Sequence, residues 1–227
     1  MPTDIQLHPG VSFCEVSGTF VFLDELKDKY YCLKGDQASW FEEIIRIRQP
    51  EKLNAKASAF LTHLIQEGTL IQTPGYVRDL APCMHPNANR SLLDARTMGK
   101  PTLRDTVRLM ATWLAVAGMR RTGAIRPMLE DVRRRKARLR AGQATGAATQ
   151  LASAFHTLAP YFMTVHNACL FRSYFLIRYL ASAGFPADWV FGVRLAPFSA
   201  HCWVEYQGCV LNEHLDTARE FQPILCT

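Results

Sequence analysis

The chain has 227 residues, with 26 Lys+Arg against 20 Asp+Glu, a formal net charge of +6, 48% apolar residues and 20% charged ones. This composition excludes a wholly disordered, collagen-like or fibrous chain, and the length allows one large domain or two small ones. No apolar run approaches the ~20 residues of a membrane-spanning helix, so neither a membrane nor a fibre is the expected setting.

The predicted elements begin with short strands at Ser12–Val16, Thr19–Leu23 and Lys29–Leu33, the last two separated by the polar reversal Asp24–Asp28. Trp40, Phe41, Ile44, Ile45 and Arg48 form a helical stripe that stops before Pro50. Ala57, Phe60, Leu61, Leu64 and Ile65 recur at helical spacing, and Gly68 supplies a C-terminal stop. Thr69–Gln72 reads as a closing strand. Strands and helices in this order make 1–75 a small winged-helix-like module. Residues 76–100 are rich in Pro, Asn and Gly and read as a linker. Within 101–227, Leu103, Val107, Met110, Leu114 and Ala117 mark one helix. Ile125, Leu129, Val132 and Leu139 mark a second, and Ala148, Leu151, Phe155 and Leu158 a third. Asn167 is placed to cap a fourth helix, Ala168–Ala183, that ends at Gly184. Strands follow at Trp189–Leu195, His201–Tyr206 and Cys209–Glu213. The fold class is α+β.

Charge is unevenly spread. Residues 1–80 hold eight basic and eleven acidic side chains, whereas 100–140 hold twelve and three. The run Arg133–Arg140 fits the solvated, basic end of a helix or a docking surface. No aromatic residue interleaves it for bases to stack on, so nucleic acid is not the expected partner. MPTDIQLHPG has no basic patch followed by an apolar stretch, so no secretory signal is expected. The seven cysteines (14, 32, 83, 169, 202, 209 and 226) are odd in number and form no CxxC pair, which suits thiols in a reducing cytoplasm.

The chemistry gathers at the C-terminal end. Cys169 falls in the first turn of its helix, where backbone N–H groups and the helix dipole favour a thiolate. The same N–H groups suit the oxyanion of an acyl intermediate. His201 opens the strand 32 residues later and is the candidate base. An acid on the next strand would orient its imidazole, and the candidates are Glu213 and Asp216. A two-residue turn at Gln207-Gly208 pairs Tyr206 with Cys209 and faces Glu213 away from His201. A three-residue loop pairs Trp203 with Glu213 and puts His201, Trp203 and Glu213 on one face. The expectation is therefore the three-residue loop with Glu213, and Asp216 as the alternative. His201 and Cys202 point to opposite strand faces, which disfavours a metal site built with Cys169 and His214. No metal or organic cofactor is expected.

Cys169-Leu170-Phe171-Arg172-Ser173, Gly184-Phe185-Pro186-Ala187, Phe191-Gly192-Val193, Phe198 through Glu205 and Val210-Leu211-Asn212-Glu213 resemble the lasso-peptide B proteins. These are leader peptidases of the transglutaminase-like, papain-like cysteine-protease superfamily. The resemblance covers about 165–214. It implies Cys169 as nucleophile and His201 as base. The family usually has Asp where Glu213 stands and often Ala where Cys202 stands. Thr19–Leu23, Asp28–Leu33 and Ala57–Glu67 ahead of Gly68 resemble the PqqD-like leader-recognition element. That likeness implies a leader peptide adding as a strand along Lys29, Tyr30, Tyr31, Cys32 and Leu33, against a helix side with Phe60, His63, Leu64 and Glu67. It also implies an ATP-dependent lasso cyclase as partner, for which the basic segment 120–140 is a candidate docking surface. Two other classes stay open: an acyltransferase using the same three residues, and a non-enzymatic leader-binding or winged-helix nucleic-acid adaptor.

Overall fold

The structure is a computed structural model, and it describes residues 4–73, 80–95, 99–119, 124–139, 145–163 and 169–227. The chain divides into two compact units, 1–84 and 85–227. The expected helix cap Asn167, residues 120–123 and Arg140 lie outside the described residues.

In the first unit, strands β2 (Val11–Val16), β3 (Thr19–Asp24) and β4 (Lys29–Leu33) form an antiparallel sheet in the order β2-β3-β4. The alternation of β2 and β3 sends Phe13, Phe20 and Phe22 to one face. There Phe41 of α1 (Asp36–Ile47) packs edge-on against all three, with ring centroids 5.0–5.3 Å apart. Arg48, in the left-handed region at φ 56°, ends α1 before Pro50. Asn54 caps α2 (Ala55–Gln66) by accepting the Ala57 N–H at 2.9 Å. Gly68, at φ 73°, turns the chain out of it. A strand absent from the sequence reading, β1 (Asp4–Leu7), pairs with β5 (Leu70–Thr73). The backbone N–H of Cys83 bonds to the Phe13 carbonyl beside β2. β4 is the terminal strand on the other side.

The second unit is a five-stranded sheet of order β10-β7-β8-β9-β6, built from β6 (Arg90–Ser91), β7 (Asp188–Arg194), β8 (Ser199–Tyr206), β9 (Cys209–Val210) and β10 (Gln222–Cys226). All neighbours are antiparallel except β6 and β9. Residues 85–91, read from composition as connection, thus belong to the sheet unit, with Ala88 in its core. One sheet face, with Trp189 and Phe191, receives α6 (Cys169–Ser182), and Tyr174 packs on Trp189 at 5.9 Å. The helices α3 (Leu103–Val116), α4 (Ile125–Lys136) and α5 (Thr145–Leu158) surround α6. The other face, with Val190 and Trp203, is covered by Ala218 and Phe221. Ala218 lies on the short helix α7 (Leu215–Arg219).

Three expectations are corrected. The stripe Leu103, Val107, Met110, Leu114 does not face the core: Leu103 is 81% exposed and Leu114 76%. α3 instead buries Leu109, Thr112 and Val116, while Trp113 meets Phe171 and Phe175. The helix carries apolar residues on two faces, and periodicity alone picks out either. The hairpin after β8 has a two-residue turn, with Tyr206 opposite Cys209 and Glu205 opposite Val210, not the three-residue loop. The matching expectation that Cys209–Glu213 is a strand also fails, because β9 ends at Val210.

Candidate active site

α6 presents Cys169 at the start of its described course, and this thiol is exposed. Cys14, Cys202 and Cys209 are buried by contrast. The thiol is held well below its ordinary pKa of 9.0 by hydrogen bonds from Cys202 and then His201, which outweigh burial; the Leu170 backbone adds to them. Burial, with the neighbouring Cys169 charge, pushes Cys202 well up. Cys202 therefore stays a neutral S–H that donates to a thiolate. The sequence attached no role to it. Its signal was only the strand alternation that sends it under α6, where Ser173 Oγ donates to its carbonyl at 3.2 Å.

His201 sits on β8, opposite Gly192 of β7. Its Nε2 meets Glu213 Oε2 at 2.9 Å, which leaves Nδ1 as the ring nitrogen for the thiol. Its pKa is raised from 6.5 to about 9, first by Cys169 and then by Glu213, against the effect of burial. Near neutral pH the arrangement favours thiolate and imidazolium together. The ring lies against Phe221, 5.3 Å away, and Trp203, 6.3 Å away with planes 25° apart.

Glu213 reaches His201 although the turn is two residues long, because the ladder is broken before it. Leu211 still donates its N–H to the Val204 carbonyl at 2.8 Å. Its own carbonyl, however, is taken by His156 Nε2 at 2.7 Å. Val204 N–H turns instead to the side chain of Asn212, 2.8 Å from Oδ1. Asn212 Nδ2 donates in turn to Ser173 Oγ at 2.9 Å. The chain therefore leaves the strand direction, and the face of Glu213 is no longer set by the period of two. Ser91 Oγ fixes the Glu213 carbonyl at 2.6 Å, and the His214 N–H is donated to Glu213 Oε1 at 2.9 Å. The bond to His201 is the main cause that lowers the carboxyl's pKa. Asp216 is exposed on α7.

Arg172 lies one turn along α6 from Cys169, and no local pattern marks it. Its Nη2 meets Nδ1 of His156 at 3.0 Å. Burial holds His156 down to about pKa 4, so its ring is neutral and accepts there. The charge of Glu213 acts on the Arg172 guanidinium.

In the first unit, a groove of about 490 Å³ runs between β4 and α2. Lys29, Tyr30, Tyr31, Leu33, Phe60, His63, Leu64 and Glu67 line it. Tyr31 stacks flat on Phe22 at 4.9 Å, and its hydroxyl bonds to Thr69 Oγ1 at 2.8 Å. Cys32 does not line this groove; it lies towards Cys14. That placement follows from the strand period, which turns it away from Tyr31 and Leu33.

The structure thus brings together a thiol at the first described residue of α6, an imidazole on the sheet that the helix covers and a carboxylate behind it. The chain belongs to the Transglutaminase-like superfamily, whose sequence model matches residues 103–226. Its fold is that of cysteine proteases and acyltransferases. No curated protein and no solved structure matches the chain. Among the described residues, no helix is long and apolar enough to cross a membrane.

Proposed function

We propose that the protein is a cysteine endopeptidase of ribosomal peptide maturation, which holds a lasso-peptide precursor by its leader and cuts at the leader–core junction. The observation that carries the reading is the exposed Cys169 thiol, acidified by Cys202 and His201, with Glu213 bonded to the far side of the imidazole. The proton of Cys169 resides on His201, and the thiolate attacks the scissile carbonyl. The tetrahedral oxyanion is received by N–H groups at the start of α6. His201 gives its proton to the departing amine, so the core leaves with a free α-amine and the leader stays as a thioester. His201 then takes a proton from water, whose hydroxide releases the leader as a carboxylate. Glu213 holds the imidazole in place through both halves.

The first unit supports leader recognition of the PqqD-like, winged-helix-like kind. β4 is a terminal strand, and the groove beside it has an apolar floor at Leu33, Phe60 and Leu64 with polar rims. Such an edge takes an extended peptide by β-augmentation. On this reading the unit 1–84 carries the recognition domain and the unit 85–227 the peptidase, and the released amine passes to an ATP-dependent lasso cyclase in the cytoplasm. The basic end of α4 is the candidate surface for that cyclase.

The test is mass spectrometry of a lasso precursor incubated with the protein and with Cys169→Ala. The expected products are a leader ending in a free carboxylate and a core with a free amine, from the unsubstituted protein alone. Leader joined to an added amine would identify an acyltransferase instead. An uncut precursor, retained equally by both proteins, would identify an adaptor.

A further inference from the structure

The face of β8 that carries His201 also carries Trp203 and Glu205, because side chains two apart in a strand share a face. Both are buried, Trp203 at 2% and Glu205 at 4% exposure. Trp203 Nε1 donates to Glu205 Oε1 at 2.6 Å. The other carboxylate oxygen, Oε2, meets His85 Nε2 at 3.0 Å. The far edge of the indole lies over Gly192, where an added Cβ would meet Cζ3 and Cη2 of Trp203 at 2.8–2.9 Å. Its ring forms one wall of the His201 imidazole and Phe221 another.

A buried carboxylate is costly unless fully paired, and packing alone would be met by an apolar residue at 205. The carboxylate instead holds the indole by its ring nitrogen, at the end opposite the edge that lies over Gly192. We propose that Glu205 is a positioning residue for the base: by holding the Trp203 indole, it sets the plane of the His201 ring and so its bond to Cys169. The inference rests on the reading of Cys169 and His201 as nucleophile and base.

His85 is held protonated, with its pKa raised to about 10 by hydrogen bonds to Cys226 and then Glu205. It balances the buried carboxylate without facing the thiol. The ionisable groups that do face the Cys169–His201 pair are Cys202 from β8 and Glu213 after β9, with Arg172 on α6 acting on Glu213.

The test reads the pH dependence of Cys169 alkylation by iodoacetamide, mapped by mass spectrometry on the full chain, with buried Cys209 as reporter of unfolding. In Glu205→Leu the alkylation midpoint should rise by about one pH unit or more, a tenfold loss of thiolate at fixed pH, while Cys209 stays protected. Glu205→Gln, which still accepts the indole N–H, should restore a midpoint near the starting one. If Cys209 becomes reactive in Glu205→Leu, Trp203→Phe takes its place and should show the same rise. An unchanged Cys169 midpoint in a folded variant overturns the proposal, and leaves Glu205 as a structural anchor for His85. His201→Ala separates the two levels. If it too leaves the midpoint unchanged, the base reading itself fails. If it raises the midpoint and the Glu205 and Trp203 variants do not, only the positioning role is lost.

Discussion

Asn212 Oδ1 stands where the carbonyl of a continuing strand would stand, 2.8 Å from the Val204 N–H. His156 meanwhile holds the Leu211 carbonyl that this N–H would otherwise have used. Two side chains thus end β9 and release Glu213 towards His201. Asn212→Leu leaves Val204 N–H without its acceptor and Ser173 Oγ without its donor. Each buried loss costs on the order of 1–3 kcal/mol. The variant should unfold at lower temperature, and its Cys169 should alkylate more slowly at neutral pH. Calorimetry and mass-mapped alkylation check the two effects. Slower alkylation with unchanged stability would mean that Asn212 acts on Glu213 alone.

The carboxylate–imidazolium contact carries its own pH signature. His201 has a folded pKa raised from 6.5 to about 9, by Cys169 first and Glu213 second. Stability from such a shift is complete below 6.5 and fades as pH rises through 9. Glu213 is shifted the other way, below 4.5, so its share is present above 4.5 and fades as pH falls below it. Glu213→Gln removes the charge that both shifts share. The stability lost on substitution should therefore be largest between pH 4.5 and 6.5 and should vanish above pH 9. Urea melts of both proteins at three pH values measure it; a difference that is flat from pH 6 to 10 contradicts an ionic contact.

Gly192 is needed for room, not for backbone freedom. An added methyl would lie 2.7 Å from Phe221 Cβ and 2.8–2.9 Å from the Trp203 ring, so both aromatic walls of His201 must shift. Overpacking of this kind costs about 1–3 kcal/mol. Gly192→Ala should lower both stability and the reactivity of Cys169 near neutral pH. Thermal melts with alkylation rates test this, and wild-type reactivity would show that the walls do not set the imidazole.

The sequence carried the helix through Cys169 and the strand at His201, because helical and strand periodicity are local. The nearness of Glu213 to His201 was legible too, but through the wrong geometry: the inferred three-residue loop does not form. The break that frees Glu213 depends on His156, 55 residues away from Leu211, and no local pattern reports such a partner. β6 has two residues and pairs with β9 far along the chain, so composition showed only a Pro- and Asn-rich stretch. α3 had two apolar faces, and only its neighbours Phe171 and Phe175 decide which is covered. Cys202 illustrates the same limit. Its alternation was legible, but its hydrogen bond to Cys169 belongs to the packing of α6 on β8.

The groove beside β4 makes a prediction that is independent of the thiol. Tyr30 and His63 line it without being buried, whereas Phe60 and Leu64 also hold the core of the first unit. Tyr30→Ala and His63→Ala should therefore spare folding and weaken the grip on a leader peptide, each by roughly three- to tenfold if the side chain contributes about 1 kcal/mol. Lys27 needs separate treatment, since it already donates to the Glu67 carbonyl at 2.8 Å and pairs with Asp24 and Glu67. Its loss would perturb the rim itself. Anisotropy of a labelled leader on the Cys169→Ala background gives the binding constants without cleavage. β-augmentation supplies main-chain bonds that neither substitution touches, so residual binding is expected in both variants. Complete loss from either one would point to recognition by a side-chain pocket, and unchanged affinity in both would move the leader to another surface.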